Sequence, residues 1–135
     1  MAKRVTELKT QGELVAREEL RDAAFREEWE RLSVARAVAA TVIAYRADHD
    51  LSQRELARIL SVPQPQVARL ESGEHEPSRQ TLMRLASRLG LEFTISITSA
   101  EREPTQLTKR ARDGVLATYE QHDAALRFSA LQARR

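Results

Sequence analysis

The stretch Leu51–Gly73, LSQRELARILSVPQPQVARLESG, decides the fold because it encodes two short helices joined by a tight turn. Ser52 and Glu55 stand at the spacing of a capping box, which predicts that the first helix begins at this serine. Ser61 and the Val-Pro that follows it end that helix. Val67 and the leucine three residues later give the second helix a buried face. The pattern predicts a helix-turn-helix.

The outer face of the second helix carries two amides and a guanidinium, from Gln64, Gln66 and Arg69. In the major groove of DNA, Gln can pair bidentately with adenine and Arg with guanine. We therefore expect these three side chains to read bases, while Ser52 and Gln53 anchor the first helix to phosphate. The alternative interpretation is an unrelated helical hairpin whose polar residues are merely solvated.

The stretch resembles the Cro/C1-type (XRE family) helix-turn-helix, and the match continues through Glu-Pro-Ser and the next helix to about Leu89. The resemblance implies a mainly α fold with a five-helix, lambda repressor-like DNA-binding core, and it assigns residues 33–90 to the helix-turn-helix domain. Ser61 departs from the family, which usually has Gly at this turn, and a positive φ there costs about 1 kcal/mol. Pro63 replaces the usual polar N-cap of the recognition helix, with Pro65 just behind it. A proline in or before the first turn removes no intrahelical hydrogen bond.

The resemblance also implies roles for residues on either side of the recognition helix. It pairs Arg46, in the first core helix, with Glu71 at the end of the recognition helix. The alternative is that both charges are exposed and uncoupled. In the family, the loop after this helix lies along the phosphate backbone. The candidates for that contact are Ser72, Gly73 and Arg79.

Composition limits the possible functions. The chain has 135 residues, of which 41% are hydrophobic and 4% aromatic, so we expect one compact domain with an aliphatic core. The net charge is only +2, so DNA affinity must come from locally placed arginines. The absence of cysteine excludes disulfides and thiolate sites. Because the sequence has neither a membrane-spanning segment nor a signal-peptide core, we expect a cytoplasmic protein without a membrane partner.

Chemistry-bearing motifs are missing from the sequence. The histidines are far apart, and Asp48-His49-Asp50 is better interpreted as helix capping than as a metal-ligand cluster. We find no phosphate-binding glycine loop, nucleophile elbow or catalytic acid pair. We therefore expect no enzyme activity, no catalytic or metal site, no cofactor and no small-molecule substrate.

The N-terminal segment, residues 1–32, combines a polar tail with a helix predicted over Glu13–Leu32. Phe25, Trp29 and Leu32 follow the i, i+4, i+7 spacing of an amphipathic helix. This stripe either packs on the DNA-binding core or anchors a protein partner, and the two uses are compatible.

A strand is predicted at residues 91–98, because LEFTISI alternates apolar and polar side chains. A lone strand leaves its backbone groups unsatisfied, so the simplest partner is the same strand of a second copy. The side chains that would line this dimer contact are Leu91, Phe93, Ile95 and Ile97. The alternative is pairing with an N-terminal strand, Arg4–Lys9. A two-fold dimer would suit a palindromic operator with half-sites about 34 Å apart.

The C-terminal extension, residues 99–135, begins at the polar break Glu101–Pro104. Beyond it, apolar residues at near-helical spacing predict a helical tail over Thr105–Gln132. Such a tail could pack on its own dimer, bind a protein partner or stay disordered until bound.

The order of aromatic helix, repressor core and strand is similar to HigA-type antitoxins, which bind a small ribonuclease toxin and repress their own operon. The strand is also similar to those through which HipB-like antitoxins dimerise. The resemblance implies a homodimeric DNA-binding repressor with a toxin partner. The alternatives are a stand-alone XRE-type repressor and a protein-interaction adaptor that no longer binds DNA.

Overall fold

The computed structural model describes residues 23–99, 101–102 and 106–133. The chain divides into two units, residues 1–30 and 31–135. Helix α1 (Ala23–Arg31) belongs to the first unit except for its last residue. The predicted start of this helix at Glu13 and the alternative strand Arg4–Lys9 lie outside the described residues.

Four helices begin the second unit: α2 (Ser33–Asp48), α3 (Gln53–Leu60), α4 (Gln64–Glu71) and α5 (Arg79–Leu89). Ser52 caps α3, and both hydrogen bonds of the predicted capping box are present. Ser78 caps α5 through the N–H of Thr81. Residues 33–90 therefore hold four helices where the resemblance implied five. The reason is that Gly90 ends α5 in the left-handed conformation, with φ 67°, and the chain runs directly into a strand.

The helices enclose an aliphatic core, as the low aromatic content predicts. Its largest fully buried helical side chains are Val38, Val42, Leu56, Leu60, Val67 and Leu85. Full burial of one such Val or Leu side chain contributes about 1.5–3 kcal/mol. Ala57, 4% exposed, lies in the same cluster.

The turn between α3 and α4 fixes the angle of the recognition helix. Ser61 adopts the predicted positive φ of 57°, and the N–H of Val62 donates to the carbonyl of Ala57 at 3.0 Å. The Arg84 guanidinium donates to the carbonyls of Leu60 at 3.3 Å and Ser61 at 3.4 Å. The carbonyls of Ala57 and Leu60, in the last turn of α3, therefore accept hydrogen bonds from the turn and from α5.

The predicted C-terminal helix is wrong. Residues 106–133 form a short helix, α6 (Lys109–Arg112), and a hairpin of strands β2 (Val115–Gln121) and β3 (Ala124–Gln132). Ala117, Phe128 and Ala130 are buried in the same core as the helices. The alanines and leucines of this segment favour a helix, but burial and strand pairing override that preference.

The lone-strand prediction is also wrong. Strand β1 (Leu91–Ser99) pairs antiparallel with β3 of the same chain, in a sheet of order β1-β3-β2. Leu91, 4% exposed, lies in the chain's own core, and Phe93 stacks on Phe128 with ring centroids 5.8 Å apart. Of the four expected dimer side chains, Ile95 and Ile97 remain exposed, at 49% and 67%.

The sheet joins the helices through specific polar contacts. The Gln132 side-chain amide donates to the carbonyls of Leu89 and Gly90, each at 3.0 Å, where α5 ends. The Ser33 hydroxyl donates to the Thr118 carbonyl at 3.1 Å, which connects α2 with β2. The hairpin is thus part of the same unit as the helix-turn-helix. None of the helices in the described ranges is long and apolar enough to cross a membrane.

Candidate nucleic-acid interface

Helix α4 presents a polar face away from the core. Val67 is fully buried and holds the helix in place, while Gln64, Gln66 and Arg69 are exposed. All three predicted base-reading side chains therefore lie on the accessible surface of one helix. Their amides and guanidinium supply the donors and acceptors that major-groove readout needs.

The far end of α4 is fixed by an ion pair between Arg46 and Glu71. The Arg46 Nε donates to Glu71 Oε2 at 2.8 Å, and its Nη2 donates to Oε1 at 2.7 Å. The remaining nitrogen, Nη1, donates to the Leu51 carbonyl at 3.0 Å. The Glu71 side chain is 8% exposed, and its hydrogen bonds raise the pKa of Arg46. The pair connects α4 with α2, and Arg46 also connects α2 with the segment just before α3.

The Glu71 carboxylate also begins a short hydrogen-bond chain through the side-chain amides of Gln53 and Gln64. The Gln53 Nε2 donates to Glu71 Oε1 at 3.3 Å, and the Gln64 Nε2 donates to Gln53 Oε1 at 2.8 Å. These two bonds orient both amides, because a carboxylate can only accept. Within the described residues, the Gln64 Oε1 and its second N–H have no hydrogen-bond partner, and adenine requires an acceptor and a donor of this kind.

Arg69 lies beside the loop that follows α4. Its Nη2 is 3.5 Å from the Nδ1 of His75. Neither side chain is buried. A weak contact of this length leaves the guanidinium able to turn toward a ligand.

The predicted phosphate contacts are unequally available. The Ser52 hydroxyl accepts from the Glu55 N–H at 3.1 Å, and the Ser72 hydroxyl donates to the Arg69 carbonyl at 2.7 Å. Gly73 has a left-handed φ of 67°, but it is buried, and its N–H donates to the Leu70 carbonyl at 3.4 Å. The exposed Arg79 is the candidate with the freest approach.

The capping box also carries a titrating group. The Ser52 N–H donates to Glu55 Oε1 at 3.2 Å, and this hydrogen bond lowers the pKa of Glu55. Because the pKa falls on folding, the cap favours the folded state above the usual carboxyl range. That contribution is lost as the pH drops through the lowered pKa.

The predicted partner-binding residues belong to α1 and to the start of α2. Phe25 and Trp29, on α1, are 66% and 56% exposed. Leu32 is partly buried at the N-terminal end of α2. Within the described ranges, no group of three or more His, Asp or Glu side chains is placed to hold a metal ion.

Two features of the interface were missed in the sequence. Gln53, assigned to phosphate alone, is the hydrogen-bond partner of Gln64, and both are the first residues of their helices. That shared position is a signal that could have connected them. The proximity of His75 to Arg69 depends on the path of a loop, and the local pattern gives no sign of it.

The comparisons with known proteins agree with this geometry. Residues 42–95 match the family described as Helix-turn-helix. The chain contains an XRE-type helix-turn-helix domain. Because the helix-turn-helix is a DNA-binding module, this domain indicates a DNA-binding regulator. A comparison with curated proteins finds no match.

Among solved structures, the chain is similar to the clp gene regulator ClgR from Corynebacterium glutamicum. Over 42% of this chain and 73% of that one, the identity is 32% and the TM-score is 0.39. A second structure of ClgR has the same identity over 42% of this chain and 61% of that one, with a TM-score of 0.38.

Proposed function

We propose that this protein is a transcriptional repressor that inserts α4 into the major groove of DNA. The observation that supports it best is the amide pair Gln53–Gln64, braced on the Glu71 carboxylate. A side chain oriented before binding loses less conformational entropy when it contacts a base. Gln64 and Gln66 would read adenine and Arg69 guanine, each good bidentate contact contributing about 1–3 kcal/mol of discrimination.

Phosphate contacts would set the register of the helix on the duplex. Gln53 keeps one amide N–H beyond the one it gives to Glu71, and this N–H can donate to a phosphate oxygen. Arg79, at the start of α5, would supply a charge-assisted contact from the other side. Ser72 and Gly73 would act mainly by shaping the backbone, because the Ser72 hydroxyl and the Gly73 N–H already donate within the chain. The Ser52 hydroxyl accepts from Glu55, and its O–H could donate to a phosphate oxygen.

The variant Arg69→Ala tests the base-reading role. A duplex enriched from a random library by the full chain would be titrated with both proteins at one salt concentration. We expect the variant to lose about 10-fold or more in affinity for this duplex. Binding to an unrelated duplex should change much less, because it depends on phosphate contacts.

The matched control is Arg112→Ala, which removes an exposed arginine from α6, outside the helix-turn-helix. It should bind the enriched duplex like the unchanged chain. Equal affinities of the Arg69→Ala variant and the control would contradict the assignment. An adaptor that no longer binds DNA would enrich no duplex at all.

The repressor would act as a homodimer joined through strand β1. This strand lies at one edge of the sheet, since β3 separates it from β2. Its sequence, LEFTISITS, has neither Lys nor Pro, residues that natural sheets use to block edge pairing. Pairing with the same strand of a second copy would bring the exposed Ile95 and Ile97 of both chains together. Such a dimer would fit a palindromic operator.

Ile97→Lys tests this contact, because a lysine on an edge strand opposes strand addition. Sedimentation should give a dimer for the unchanged chain and a monomer for the variant. The control is Leu116→Lys on β2, since Leu116 is 50% exposed on the strand at the opposite edge of the sheet. A dimer that survives Ile97→Lys would place the contact elsewhere.

A second candidate function is that of an antitoxin that neutralises a small ribonuclease toxin and represses its own operon. The observation in its favour is the aromatic pair Phe25 and Trp29, whose side chains are more than half exposed on α1. Large aromatic side chains of this kind are the usual anchors of protein interfaces.

The test is the reading frame next to this gene, expressed alone and together with this chain. A toxin should arrest growth alone, and co-expression should restore it. Phe25→Ala should weaken the rescue, whereas Met83→Ala, which truncates a side chain 65% exposed on α5, should leave it intact. If the product of the neighbouring reading frame does not affect growth, the antitoxin function is contradicted and the stand-alone repressor is favoured.

A further inference from the structure

Pro65 stands at the centre of the outward face of α4. Successive residues of an α-helix are about 100° apart around its axis. Val67, which is fully buried, marks the direction of the core, and Pro65 lies two residues before it. Pro65 therefore points about 160–200° away from the core, and it is exposed. Gln64 and Gln66 flank it in the chain, and Arg69 lies one turn further on.

The pyrrolidine ring has an unusual chemistry for the middle of a reading surface. It is apolar, it has no N–H, and its fixed φ keeps it from turning away. A polar base-edge group pressed against it would lose its water partner without gaining a new one, which is unfavourable. The apolar group that a base pair presents in the major groove is the C5-methyl of thymine.

We infer that Pro65 reads a thymine through its 5-methyl group, within or next to the base pair that Gln64 reads. The inference depends on the proposed DNA-binding function. It makes Pro65 a specificity-determining residue beside the polar side chains already assigned.

The neighbours of Pro65 support this role. Ala68 lies one turn further along α4 and is partly exposed, so its methyl group extends the apolar strip. The Gln64 amide is held by Gln53 at 2.8 Å, and this bond keeps it from folding over the ring. The apolar strip and the Gln64 amide would therefore keep a constant spacing when they contact the duplex. A constant spacing would let the amide contact an adenine while Pro65 contacts a thymine methyl group beside it.

The experiment replaces thymine by uracil, one position at a time, in a duplex enriched from a random library by the full chain. Uracil keeps the hydrogen-bonding edge of thymine and lacks only the methyl group. Burial of one methyl group corresponds to about a fourfold change in affinity, so we expect one position in each half-site to show a loss of about that size. All titrations use one salt concentration, since salt alone shifts the affinity.

The variant Pro65→Ala should bind the thymine and uracil duplexes with nearly equal affinity. Pro63→Ala is the matched control, because Pro63 is an exposed proline at the N-cap of the same helix. This control should keep the fourfold preference for thymine, and Arg69→Ala should keep it too, at lower overall affinity. Circular dichroism and thermal melting show whether each variant is folded.

The possible outcomes distinguish a failure of the thymine contact from a failure of DNA binding itself. A uracil scan without effect on the unchanged chain, or a preference that persists in Pro65→Ala, overturns the thymine contact while DNA binding stands. A chain that enriches no duplex overturns both. A preference lost in Pro63→Ala but kept in Pro65→Ala assigns the contact to the other ring and also overturns the inference.

Discussion

Residues 33–89 and residues 115–132 pack into one core, but they acquire their structure in different ways. The helical region is specified by neighbours in sequence: a capping box at Ser52, a turn at Ser61 and a helix end at Gly90. The hairpin depends on partners far along the chain, since β3 pairs with β1 and Phe128 packs among helical side chains. A structure that depends on distant partners is hard to recognise from any short window of sequence.

Among the variants that test how the two regions depend on each other, we expect Phe128→Ala to change the free energy of unfolding most. Phe128 is fully buried in the core shared with the helices, and truncation of a buried Phe costs about 3–5 kcal/mol. Chemical denaturation should give a single transition shifted by this amount, with the helices and the hairpin unfolding together. Leu116→Ala, on the same hairpin but 50% exposed, should cost less than about 1 kcal/mol. Helical signal that survives loss of the hairpin would mean that the two regions are independent.

Breaking the ion pair tests the helical region. Glu71→Ala leaves the partly buried Arg46 guanidinium without its carboxylate, and we expect a loss of about 3 kcal/mol in the free energy of unfolding. In a double-mutant cycle with Arg46→Ala, the double variant should lose less than the sum of the single ones. The control is Glu74→Ala, in the exposed loop after α4. Strict additivity would show that the two charges are energetically uncoupled.

The smallest effect is a gain. Ser61 has φ 57°, which a serine adopts at a cost, so Ser61→Gly should raise the free energy of unfolding by about 1 kcal/mol. Ser72 has φ −69°, which a serine adopts without strain, so Ser72→Gly relieves nothing. We expect this substitution to lower the free energy of unfolding, because glycine loses more conformational entropy than serine on folding. Thermal melting of the two variants measures both signs. A destabilised Ser61→Gly would indicate that the serine side chain, and not the strain, dominates this turn.

Much of the fold follows from local patterns. The start of α3 at its Ser52 cap, the end of that helix at Ser61 and the strand at Leu91 follow from capping and spacing, whereas the positive φ of Ser61 follows from the family resemblance. The hairpin was not predicted, because Val115, Leu116 and Tyr119 also fit a helical spacing. The signal that was overlooked is the alternation of Leu126, Phe128 and Ala130, whose meaning depends on pairing with β1.

The candidate site shows the same division. The exposure of Gln64, Gln66 and Arg69 follows from the period of one helix. The orientation of the Gln64 amide does not, since it depends on Gln53 eleven residues earlier and on a carboxylate at the other end of α4. Side-chain hydrogen bonds between elements become visible when the crossing of those elements is known.

The position of β3 in the chain affects how the protein folds during synthesis. Synthesis proceeds from the N-terminus, so the helix-turn-helix leaves the ribosome well before the strand that carries Phe128 and Gln132. Until then, the apolar side of α2 lacks its cover, and the carbonyls of Leu89 and Gly90 lack their Gln132 partner. A prematurely terminated chain would carry the whole recognition helix on an unfinished core. Such fragments should be less stable than a chain that contains β3, so the stability of the helix-turn-helix depends on translation through this strand.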